Sequence, residues 1–229
     1  MIESVDVIGA RGRVGSAVNA RLLERGLVST GHDPEIVLLC VPDRAIAEVA
    51  ASVEPGPWIG HVSGGTPLAA LARHERRFSL HPLQTFVRDG GQEQLDGAWA
   101  AATGETEEAR GVATELAEVL GLRPFVLDDD RRALYHAGAA IASNYLVTLY
   151  RAAAELLAAA DVPSDALEPL MRRVIENRFQ LTGPIERGDW DTVERHRTAI
   201  AKGAPELLEA YDALARLTSS NTVLQGAPA

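Results

Sequence analysis

The sequence predicts an α/β domain with a mainly parallel sheet, followed by an all-α domain. Three observations support this. An apolar strand, Val5 to Ile8, breaks into glycines at Gly9, Gly12 and Gly15 and then into a helix. Strand-like runs alternate with helical ones up to about residue 130. From Arg131 onward no strand-like run appears. Strands alternating with helices specify a parallel α/β sheet, and a run of helices without strands specifies a separate helical layer.

In chain order, the first strand leads into a helix from Val14 to Arg25, with Val14, Val18, Leu22 and Leu23 at helical spacing and Gly26 as its stop. The polar stretch Ser29 to Pro34 reads as a turn. The strand Ile36 to Val41 follows almost at once, although a parallel crossover needs a dozen or more residues. One strand-helix unit is therefore missing. Further strands are expected at Trp58 to Val62, Phe78 to Leu80, Trp99 to Thr103 and Pro124 to Leu127. An amphipathic helix, Thr106 to Leu120, is closed by Gly121. Helices are then expected over Arg131 to Ala160, Asp165 to Leu181, Trp190 to Lys202 and Pro205 to Thr218. The expected domains are 1–130 and 131–218, with a flexible tail at 219–229.

Composition narrows the function classes. The 229 residues carry 22 Lys and Arg against 32 Asp and Glu, a net charge of -10, which argues against nucleic-acid or anionic-membrane partners. One cysteine, Cys40, excludes a disulfide framework and fits a reducing cytoplasm. No leader and no apolar run near the roughly 20 residues of a membrane span are seen, so a soluble, cytoplasmic protein is expected. The six histidines lack zinc-like spacing, so no metal is expected.

Several motifs carry chemistry. Gly9, Gly12 and Gly15 form G-x-x-G-x-x-G, one residue longer at its first gap than the dinucleotide fingerprint. Glycines there permit the turn and let backbone approach a pyrophosphate, which the helix N-terminus then binds. Arg11 and Arg13 inside the loop of an acidic protein suit a phosphate. The candidate cofactor set is Gly9, Arg11, Gly12, Arg13 and Val14, with Val41, Pro42 and Asp43 after the second strong strand and Ser63 after the third. Asp43 has two alternatives: it holds a ribose, or it caps the helix behind it while the adenosine half of the site is trimmed away. Capping with a trimmed site is favoured. His61-Val62-Ser63-Gly64-Gly65-Thr66 follows a strand and is equally a ligand loop or a helix cap. His81, before Pro82 at a strand end, is a ligand or a structural histidine. His136, Ala140 and Asn144 recur at i, i+4 and i+8 and share a face of an unbroken α-helix, as a buried stripe. The turn Thr182 to Asp189 reads as a connector with Asp189 as N-cap, or as a carboxylate clamp through Arg187.

Taken together, Ser79 to Phe86, Tyr135 to Tyr145 and Leu181 to Asp189 resemble Rossmann-like proteins with a C-terminal DUF2520 domain, over nearly the whole chain. Those proteins are similar to 6-phosphogluconate dehydrogenase-like oxidoreductases, and some relatives to an alternative ketopantoate reductase. The resemblance implies NADP or NAD as cofactor, a small 2-oxo acid as substrate, and a homodimer formed by the helical domain. It also implies that Asn144 matches the asparagine of the first long helix. The lysine those dehydrogenases carry one turn earlier is Ala140 here, and His136 is the candidate replacement acid, with His81 as a further catalytic candidate. The alternative is a dimeric metabolite-binding protein that has lost part of the dinucleotide site and its catalysis.

Overall fold

The computed structural model describes residues 1–29 and 33–225, with side chains through residue 220. Six strands form one sheet in sequence order: β1 (Val5–Ile8), β2 (Ile36–Leu39), β3 (Trp58–His61), β4 (Arg77–Pro82), β5 (Trp99–Thr103) and β6 (Arg123–Val126). All neighbours are parallel except β4 and β5, which run antiparallel. The missing unit is visible at the β1 edge. Val28 makes a single parallel bridge to Val5 on the side of β1 away from β2, through Val5 N–H to Leu27 O (2.8 Å) and Ser29 N–H to Val5 O (2.9 Å). One bridged residue is what is left of a strand there, and β2 begins on the opposite side of β1, with no helix between them among the described residues.

Alternation along the strands sorts the core onto two faces. Val5, Val7, Ile36, Leu38, Phe78 and Leu80 pack under α1 (Arg13–Glu24) and α3 (Glu107–Val119). Val37, Leu39 and Ile59 pack under α2 (Ile46–Ser52) on the other face. On that second face β1 lacks the helix a complete unit would lay across it, and Asp6, Ile8 and Val37 instead line a cavity of about 480 Å³ with Glu54 and Arg76. An exposed aspartate in a parallel strand is tolerated because its cover is gone.

The glycine run first serves packing. Gly9 has φ +95°, and a Cβ on it would overlap the Cys40 carbonyl. A Cβ on Gly15 would overlap the Gly9 carbonyl, since α1 lies directly against the turn. Gly12 tolerates more, with 3.2 Å to the nearest atom.

Contacts divide the chain into Met1–Ser143 and Asn144–Ala229. The long helix expected from residue 131 is present as α4 (Arg132–Ala140), a π-helical turn (Ile141–Tyr145) and α5 (Leu146–Ala159), and the division falls inside the π turn. Helix α4 therefore groups with the sheet, not with the region starting at 131, because Arg132 is 1% exposed and bonded into the sheet unit. In the second unit are α6 (Leu167–Glu176), α7 (Trp190–Gly203) and α8 (Leu208–Gln225). Asp189 caps α7 by accepting from Thr192 N–H (3.1 Å), as a connector requires, and Arg187 bonds its own turn at Thr182 O (2.6 Å). The expected tail at 219–229 is helical through Gln225, and residues 226–229 lie outside the described residues. No described helix is long and apolar enough to cross a membrane.

Gly15→Ala is expected to destabilise the fold by about 1–3 kcal/mol, because the methyl must displace backbone and not a flexible side chain. The denaturant midpoint measures it, and Gly12→Ala is the milder control.

Candidate functional site

The C-terminal ends of the parallel strands bring the Gly9 loop, Val41 to Asp43, Ser63 and His81 to one edge of the sheet. At that edge the glycine loop leaves the N-terminus of α1 open. Gly12 is its N-cap, no side chain caps it, and Gly12 N–H closes the turn onto Gly9 O at 2.9 Å. Arg11, Gly12 and Arg13 are exposed and Val14 is half-buried. First-turn N–H groups without a capping side chain, beside two arginines, fit the pyrophosphate of a dinucleotide. The ribose end fits less well. Asp43 neither caps α2 nor stands free: it opens a short 3-10 turn, and its Oδ2 accepts from Ser63 Oγ at 2.8 Å. Val41 is half-buried and Pro42 exposed beside it.

The hydroxyl of Ser63 is bonded within its own loop. Besides donating to Asp43, Oγ accepts from Gly65 N–H (3.2 Å) and Thr66 N–H (3.0 Å) and meets Thr66 Oγ1 at 2.9 Å. Ser63 thus shapes the loop. Its N–H donates to His61 Nδ1 (3.2 Å), which leaves the His61 proton on Nε2, a fully buried atom without a partner among the described residues. Beneath the loop, Arg132 donates through Nη1 to Ser63 O (3.0 Å) and through Nε to Asp129 Oδ1 (3.0 Å). Asp129 in turn accepts from Leu68 N–H at 3.1 Å, fixing the start of the next turn. Burial, then the Arg132 charge, lowers His61 to about 4.

Above the loop sits an imidazole and phenol cluster. Tyr135 Oη lies 2.7 Å from His81 Nδ1, and the rings of His81 and His136 meet edge to face with centroids 5.9 Å apart. Gly64 and Gly65 are glycine because these rings lie on them. A Cβ on Gly64 would come within 2.7 Å of His136 Cδ2 and 2.8 Å of His81 Nε2, and one on Gly65 within 3.0 Å of His136 Nδ1. Burial, then His136, lowers His81 to about 4, so it is neutral at physiological pH. Burial raises Tyr135 to about 12 and keeps its proton in place. The only cysteine, Cys40, is pushed by burial to about 12, which makes it a poor nucleophile.

Of the residues expected from sequence, His81 and His136 come together. His136 is exposed in the chain, as is Asn144, so neither forms the buried stripe that the spacing suggested. Asn144 lies in the π turn, where i→i+5 bonding means that four residues no longer complete a turn, and it belongs to the second contact unit. Tyr135 and Arg132 were not singled out from sequence. The only local sign was their place, one residue and four residues before His136, at the start of the helix that carries it.

The model of the family described as a domain of unknown function, DUF2520, matches residues 98–218. No curated protein matches the chain. A solved protein of Thermotoga maritima is 25% identical, with a TM-score of 0.78 over 96% of this chain and 98% of its own. One from Bacteroides fragilis, titled as an NADP oxidoreductase by inference, is 20% identical with a TM-score of 0.77 over 96% and 98%. A reductive aminase of Aspergillus terreus, in complex with NADPH and ethyl levulinate, is 16% identical with a TM-score of 0.65 over 99% and 95%.

The two low histidines make a prediction about pH. Each is neutral when folded at pH values where the unfolded chain protonates it, so stability is full above about 6.5 and is lost as pH falls toward about 4. For His61 the loss is on the order of 3 kcal/mol. Denaturation of wild type and His61→Gln across this range should show a flatter acid limb in the variant, whatever its stability at pH 7.

Proposed function

This chain belongs to the family of the DUF2520 domain, and on that premise we propose that it is an NAD(P)-dependent oxidoreductase that reduces a small 2-oxo acid. The observation that carries this is one sheet edge holding both an uncapped, glycine-flanked helix N-terminus and the His81, Tyr135 and His136 cluster. The NADPH and oxo ester in the Aspergillus terreus structure support a carbonyl or related acceptor. When bound, the nicotinamide supplies a hydride. The chain's part is then to bind phosphate at Gly12 to Val14, to exclude water with the Gly64 and Gly65 backbone, and to place a proton donor beside the reduced oxygen. Exposed Arg11, Arg13 and Arg44, with Asp43 already accepting from Ser63 Oγ, favour the 2'-phosphate of NADP.

A homodimer belongs to the same proposal. Among the described residues, the second unit buries only Leu167, Val193, Ile200 and Ala204 of its large apolar content. Leu170, Val174, Ile175 and Phe179 are exposed along and just after α6. A helical unit with so small a core covers such a face with a second copy of itself.

Calorimetric titration should give micromolar binding of NADPH and weaker binding of NADH, with Arg11→Glu lowering NADPH affinity about tenfold through lost phosphate attraction. Ketopantoate tests turnover. Absence of binding at millimolar cofactor would leave the metabolite-binding alternative. In sedimentation the wild type should run as a dimer, and Ile175→Glu should shift it toward monomer.

A further inference from the structure

We propose that Tyr135 is the group that gives its proton to the reduced substrate oxygen, and that His81 is the residue that positions it. This rests on the oxidoreductase function above. Three features of the geometry support it. Tyr135 Oη is pinned at 2.7 Å to His81 Nδ1, whereas His136 is held by ring contact alone among the described residues. The Tyr135 ring is fixed edge-on from two sides, by His81 at 5.5 Å and 83° and by Phe125 at 5.9 Å and 68°. Its backbone rides one turn past the buried Arg132, whose bond to Ser63 O ties α4 to the loop. A proton donor must be fixed to within a fraction of an ångström, and Tyr135 is the most restrained donor in the cluster.

The hydrogen bond has two senses, and the proposal requires one of them. If His81 carries its proton on Nδ1, it donates to the phenol oxygen and leaves the Tyr135 O–H free for substrate. If the proton is on Nε2, Tyr135 must donate to Nδ1 and has none to offer. In the first case a bound nicotinamide would supply a hydride to the carbonyl carbon, and the π pair would move to oxygen. That oxygen takes the Tyr135 proton, the phenolate takes the Nδ1 proton, and His81 Nε2 takes one from solvent. The sum is one hydride and one solvent proton added across C=O, and His81 returns to its Nδ1 tautomer by exchanging protons with solvent before the next turnover. Burial supports the order, because a phenol that stays protonated through neutral pH is still a stronger acid than the alcohol it would make.

The tautomer is read in the free protein by nitrogen-15 NMR of labelled histidine, with the His81 signals assigned by their loss in His81→Gln. Protonated Nδ1 is the expected result, and protonated Nε2 overturns the proposal. Tyr135→Phe should keep NADPH affinity within about twofold and lower turnover of ketopantoate about 10²-fold or more. Unchanged turnover in Tyr135→Phe with cofactor still bound overturns the donor role alone. Wild type that binds no NADPH overturns the oxidoreductase function, and the donor role falls with it.

Discussion

The Arg132 guanidinium is the interaction on which the site depends. A charge that is 1% exposed is tolerable only when paired and hydrogen-bonded, and Arg132 is joined to Asp129 and to the Ser63 carbonyl. Those bonds join two stretches some sixty residues apart: the loop after β3 with the turn beginning at Leu68, and Asp129 with the start of helix α4. Removing the guanidinium would free α4 from the loop, and with it Tyr135 and His136. Because one amino group of Arg132 and the Nε2 of His61 have no partner among the described residues, this polar layer is donor-rich; burial is the main cause that keeps His61 and His81 neutral, and the Arg132 charge adds to it.

The loop above Arg132 is glycine for a reason distinct from that at the first turn. Gly9 and Gly15 are required by backbone packed on backbone, with Gly9 also in the left-handed region. Gly64 and Gly65 are required by side chains from β4 and α4 that lie across them. One set makes the strand-turn-helix corner possible, and the other makes room for imidazoles. Ser63 connects the two ends of the edge, since its bond to Asp43 crosses from the β3 loop to the β2 loop. A residue that could have held a ribose instead holds the loop.

The trimmed sheet follows the same economy of elements. A single bridge at Val28 stands in place of a strand, and a cavity lies against the face of β1 at Asp6 and Ile8, where a crossover helix would pack. In the proposed function, the pyrophosphate end of the site is built by β1 and α1 alone and does not depend on the lost unit. The adenosine end does.

Much of this was legible in the residues. Strand positions, the shortened crossover, α3 and the Asp189 cap follow from alternation, spacing and cap chemistry, which are local and leave local signals. The sequence by itself determined the layer order, the open helix N-terminus and the absence of strands after β6 among the described residues. Only tertiary structure decided that α4 belongs to the sheet unit, that Asp43 serves Ser63, and that Tyr135 meets His81 across 54 positions of chain. The π turn also lay beyond reach, because a helical pattern assumes 3.6 residues per turn and one wider turn breaks the phase for every residue after it. Periodicity records which side of an element faces the core; which distant side chain waits there is set by how the elements pack, and no spacing along the chain encodes that distance.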